Sequence, residues 1–131
     1  MRRTKNGGKE YAQIVGVVLL LLGVLGLLLG ERALLGLVNI NIMEDIVHLL
    51  MGGILASVGF GQRDEELART VVGALGAVYL LVGLLGFISP NLLGLLPHGY
   101  SVVDNLIHLV LGILSLVVAF ASGSGSAARQ A

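Results

Sequence analysis

Residues 12–30 read AQIVGVVLLLLGVLGLLLG and residues 72–90 read VGALGAVYLLVGLLGFISP, and neither stretch contains an Asp, Glu, Lys or Arg. As a helix the first run rises about 29 Å at 1.5 Å per residue, the thickness of a bilayer's hydrocarbon core. A helix on the surface of a soluble domain keeps one polar face. Here the apolar character goes all the way round, so the sequence predicts a helix that lies in hydrocarbon.

The rest of the chain repeats the pattern. Spans are expected at about 12–30, 45–61, 70–89 and 102–121, with Pro90 stopping the third. In the second, the uninterrupted run Ile46–Phe60 rises only about 23 Å, which places Glu44, Asp45 and His48 near the headgroups. Basic residues at 2, 3, 5 and 9 precede the first run as in a signal peptide, but that run is long for one and ends in Gly-Glu-Arg, so it reads as a span. Residues 1–10 and the Gly/Ser-containing 122–131 read as flexible tails. The whole is a single membrane domain, 1–131.

Composition agrees. Hydrophobic residues make up 56% and charged residues 12%, and the mean hydropathy of +0.95 is far above that of a soluble domain. Eight basic and eight acidic side chains cancel, which leaves no field to recruit nucleic acid. With no cysteine there is no disulfide, thiolate nucleophile or thiolate metal site. Arg2, Arg3, Lys5 and Lys9, then Arg63 and Arg69, then Arg129 fall on one side of the four spans, against Arg32 alone on the other. The positive-inside bias makes both termini cytoplasmic. The connections on the other side are apolar and read as segments lying in the interface.

A shift of 60 positions lays Gly16 on Gly76, Gly23 on Gly83, Gly26 on Gly86, His48 on His108 and Gly52 on Gly112. The expected fold is therefore all-α: an integral membrane four-helix bundle from a tandem repeat of a two-helix unit, 12–61 and 70–121, parallel and related by a pseudo-two-fold axis along the membrane normal. Helices in lipid associate by close packing, for which small residues are selected. Gly16, Gly23, Gly26, Gly76, Gly83, Gly86, Gly52 and Gly112 are the expected packing positions.

The polar residues of the second and fourth helices share one stripe, written [Asp/Asn]-x-x-His-x-x-x-Gly: Asp45, His48, Gly52 and Asn105, His108, Gly112. Ionisable residues inside a membrane are functional candidates by default. His48, His108, Asp45, Asn105 and Asp104 are read either as interhelical polar pairs or as ligands, to a haem, a chlorin or a transition metal, with Glu44 and His98 as further metal candidates. The sequence requires no cofactor. Nor does it carry a Ser-His-Asp order, a zinc-protease helix or a phosphate-cradling loop, so no catalytic residue is assigned and no enzyme is expected. Asp64-Glu65-Glu66 reads as a cap on the third helix. Tyr79 lies deep in its helix and calls for a hydrogen-bond partner or a role.

Val47-His48-Leu49-Leu50-Met51-Gly52-Gly53, residues 78–86 (VYLLVGLLG) and residues 104–112 (DNLIHLVLG) resemble the domain-of-unknown-function 4383 family, small prokaryotic four-helix membrane proteins. The likeness covers most of the chain; one departure is Asp45, where the pattern more often has Asn. The resemblance implies a fold and a prokaryotic plasma membrane, and no activity. The expected function is a non-enzymatic structural or accessory subunit in the lipid bilayer, self-associating or joined to a larger membrane complex. A His-ligated cofactor protein and an oligomeric small-molecule or ion carrier, the latter lined by Ser57, Tyr79 and Ser115, are the alternatives.

Overall fold

A computed structural model describes residues 7–30, 33–34, 38–39, 41–61, 63–95 and 100–127. The chain is an all-helical bundle: α1 (Gly7–Leu29), α2 (Ile42–Ala56, continued by a π-turn over Ser57–Gly61), α3 (Glu65–Ile88) and α4 (Val102–Ala127). A two-residue antiparallel pair, β1 (Ala33–Leu34) and β2 (Val38–Asn39), lies in the α1–α2 connection, and a short 3₁₀ turn (Leu92–Gly94) in the α3–α4 connection. All four helices are long and apolar enough to cross a membrane.

The first three helices begin before their apolar runs do, and α4 begins with its run at Val102. Hydrophobicity marks where side chains meet an apolar medium, whereas helical hydrogen bonding continues into polar flanks as long as the end is capped. Asp64 accepts from the Glu66 and Leu67 amides at 2.9 and 3.2 Å and starts α3 five residues ahead of Thr70. Residues 7–10 and 122–127, read from sequence as tails, are helical. Gly30, at φ +74°, ends α1 in the left-handed conformation that glycine adopts without strain. Glu31, Arg32, Pro97, His98, Gly99 and Arg129 lie outside the described residues.

Two tight hairpins, α1–α2 and α3–α4, make most of the packing, and α1 touches both α3 and α4 across the join. Glycine makes each hairpin tight. A methyl group on Gly16 would sit 2.6 Å from the Ala56 nitrogen, and one on Gly52 2.8 Å from that of Leu20. In the other hairpin, one on Gly76 would lie 2.6 Å from Ser115 Cβ and one on Gly112 2.6 Å from the Leu80 nitrogen. Gly23 and Gly83 each receive a leucine, Leu49 and Leu109, within 2.6 and 2.9 Å of where a Cβ would be.

The contacts recur 60 residues apart. The buried positions of α1 are Gly8, Ala12, Gly16, Leu19, Gly23 and Gly26; those of α3 are Ala68, Val72, Gly76, Tyr79, Gly83 and Gly86, each the first set plus 60. Where α1 packs Gln13 on Gly59, α3 packs Gly73 on Ala119, so a glycine permits the close approach from the end of α2 in one hairpin and from α3 in the other. Glycine and alanine take most of the buried positions of α1 and α3, beside Leu19, Val72 and Tyr79, while Ile14, Leu28, Ile88 and Phe120 stand 66, 77, 81 and 74% exposed.

Candidate functional site

Polar side chains gather at one end of the bundle, where α2 and α4 begin and α1 and α3 finish. Asn41 caps α2, its side-chain oxygen accepting from the Glu44 amide at 3.0 Å. Ser101 caps α4 reciprocally: its hydroxyl accepts from the Asp104 amide at 3.1 Å, and Asp104 Oδ2 accepts from the Ser101 amide at 2.9 Å and its hydroxyl at 2.8 Å. The next residue of each helix, Asp45 or Asn105, packs where a methyl group on Gly26 or Gly86 would have to sit. One turn further in come His48 and His108.

The carboxylates of Glu44, Asp45 and Asp104 are all buried. They lie in the first turns of their helices, where unpaired amides and the helix dipole favour negative charge. Among the described residues no Lys or Arg stands at this end; Lys9, Arg63 and Arg69 belong to the opposite one, where Arg69 pairs with Glu66 at 3.5 Å.

His108 is held between two tyrosines. Tyr79 of α3 stacks on it with ring centres 6.0 Å apart and planes 17° from parallel, and Tyr100 meets it edge-on at 4.8 Å and 77°. The Tyr100 amide donates to the Pro90 carbonyl at 2.7 Å, which folds the end of the α3–α4 connection over the imidazole. Burial, and then the negative charges of Glu44 and Asp104, push the Tyr100 hydroxyl up to about 12, so the phenol is neutral at physiological pH.

A cavity of about 50 Å³ lies between α2, α3 and α4. Its polar wall is Glu44, His48, Tyr79, Tyr100 and His108; Val47, Met51, Val78 and Val82 complete it. The two histidines thus face one space. Asp45 and Asn105 occupy their glycine notches and do not line the cavity, Asp104 is engaged with Ser101, and His98 lies outside the described residues. Among the described residues no three His, Asp or Glu side chains come together as a metal-binding group. The volume of about 50 Å³ is well below the roughly 300 Å³ at which pockets for drug-sized ligands begin.

Tyr79 and Tyr100 were not grouped with the histidines on sequence, because their approach to His108 is made by tertiary packing. The caps did leave a signal, Asn-x-x-Glu at 41–44 and Ser-x-x-Asp at 101–104. The residues read as a carrier's lining do not share a space: Ser57 donates to its own helix at Gly53 O (2.7 Å), Tyr79 faces the cavity, and Ser115 pairs with the Tyr11 hydroxyl at 2.7 Å. Elsewhere an apolar groove of about 510 Å³ opens between α1 and α4, lined on one side by Val15, Val18 and Leu22 and on the other by Val103, Ile107 and Leu111.

These features define a class, a small all-helical four-helix chain with a histidine- and tyrosine-walled polar cavity at one end. No protein-family model, no curated protein and no solved structure matches the chain.

Proposed function

We infer that the chain is a multi-pass protein of the prokaryotic plasma membrane, its four helices spanning the bilayer as two parallel copies of one hairpin, with both termini cytoplasmic and the histidine end in the outer leaflet. It acts as a non-enzymatic structural or accessory subunit. The observation that carries this reading is the inverted burial: glycine and alanine inside, isoleucine, leucine and phenylalanine outside. In water that arrangement forgoes the hydrophobic driving force. In hydrocarbon it costs nothing, and the glycine seams supply the close contacts that hold helices together there. The resemblance to the domain-of-unknown-function 4383 family belongs to this reading and adds no activity. The groove between α1 and α4 offers a concave face into which a helix of a second copy or of a larger complex can pack by van der Waals contact.

The native chain contains no cysteine, so single cysteines report cleanly. In intact cells a membrane-impermeant maleimide should label Asn91→Cys, while Arg63→Cys should react only after permeabilisation. Labelling of both from the outside would refute the topology. Leu22→Cys, in the groove, should form a disulfide-linked dimer on oxidation of native membranes if copies associate there; monomer at every groove position would remove self-association and leave a different partner.

A further inference from the structure

Three side chains on the cavity wall each bury a polar atom without a hydrogen-bond partner: Glu44 Oε1, the Tyr79 hydroxyl and His108 Nδ1. Their residues are only 5, 7 and 9% exposed. Buried polar atoms are nearly always paired, so three orphans on residues that share one cavity wall point to an occupant. We propose that this cavity is a binding site for a primary ammonium group.

The orphan atoms dictate the chemistry. An ionised carboxylate only accepts, a phenol oxygen accepts through its lone pairs, and imidazole Nδ1 accepts when its proton is on Nε2. A group with three donors satisfies all three acceptors at once. It is also a cation, because a cation seated against Glu44 favours the ionised form of that carboxyl and no Lys or Arg of the described residues takes that place. A primary ammonium is that group. Tyr79 and Tyr100 add aromatic walls of the kind that attract cations, and Val47, Met51, Val78 and Val82 can cover a short alkyl tail. The volume of about 50 Å³ limits the buried part to a few heavy atoms. Alkali and alkaline-earth ions prefer a shell of hard oxygens, which a wall carrying two imidazoles does not give. Tetraalkylammonium ions have no N–H to offer.

The ammonium can belong to a free short-chain amine or to the headgroup of an aminolipid reaching in from the bilayer. Only the lipid source rests on the membrane reading above; the site is built within the chain.

The test uses the full chain in mild detergent. The protein has three tyrosines and no tryptophan, so in Tyr11→Phe the ultraviolet emission comes from the two cavity tyrosines. Titration with ethylammonium chloride should change that emission saturably, while tetramethylammonium chloride and sodium chloride at equal ionic strength should not. Glu44→Gln, which keeps the backbone bond to Asn41, should weaken binding by at least about tenfold. Tyr79→Phe should weaken it several-fold, read on Tyr100, and carries the test if circular dichroism shows Glu44→Gln misfolded. In nanodiscs, weaker apparent binding in phosphatidylethanolamine than in phosphatidylcholine identifies the aminolipid as occupant, and equal binding identifies a free amine. No saturable change, an equal response to tetramethylammonium, or unchanged affinity in both variants would overturn the assignment. Because the detergent titration needs no bilayer, its failure is separate from a failure of the topology.

Discussion

At Gly26 a single added methyl group meets the Asp45 carboxylate, and at Gly86 it meets the Asn105 amide. Gly26→Ala and Gly86→Ala should therefore each destabilise the bundle by about 1–3 kcal/mol, the usual cost of overpacking. Gly53, in the same helix as His48, has nothing within 4 Å of an added Cβ. Gly53→Ala should be neutral or stabilising by up to about 1 kcal/mol through helix propensity. Thermal unfolding of the three variants in one detergent decides it, and equal midpoints would contradict the close approach. Tyr100 gives a pH dependence. Its hydroxyl lies above the ordinary value in the folded protein, so the unfolded chain loses its proton first as pH rises. Its contribution is full below about pH 10 and is lost between about 10 and 12. Tyr100→Phe should flatten the fall in melting temperature across that window. The glycines were legible as residues because their spacing repeats; the tyrosines around His108 were not, since nothing local marks which ring will stack on which.

Between elements, the hairpins are joined by few polar bonds, and those few are asymmetric. The Tyr11 hydroxyl of α1 bonds Ser115 Oγ at 2.7 Å and donates to the Leu111 carbonyl at 3.3 Å, both on α4. The positions 60 away from Tyr11 and Ser115 are Val71 and Leu55, both apolar. Tyr11→Phe and Ser115→Ala should each cost about 0.5–1.5 kcal/mol, and the double variant should cost clearly less than their sum. Additive losses in a double-mutant cycle would show that the bond contributes nothing to holding α1 on α4. Within the first hairpin, Gln13 Nε2 of α1 donates to the Gly59 carbonyl of the π-turn at 2.8 Å. Helix number and order were readable in the hydropathy. The π-turn and the starts of α1, α2 and α3 were not, because apolar periodicity is silent about where backbone hydrogen bonds widen or continue into polar flanks.

For the whole molecule, the sequence carried the bundle because two signals agreed: four long apolar runs, and glycines at matching places in each half. It carried the site only in part. His48 and His108 could be placed on one stripe, and Glu44 stood among the metal candidates, but the shared cavity depends on how α2 sits against α3 and α4, which no single helix encodes.

The leucine-covered exterior has a calorimetric consequence. Heat-capacity changes on protein unfolding arise chiefly from apolar groups entering water. If the outer faces and the separated helices both remain in hydrocarbon, parting the two hairpins hydrates almost nothing. The heat-capacity step should then be close to zero, and stability should fall steadily with temperature instead of tracing a dome with a cold-denaturing limb. Scanning calorimetry of the bilayer-embedded chain would measure that step directly, and a step of the size seen for a water-soluble domain of this length would mean that the outward leucines had been facing water.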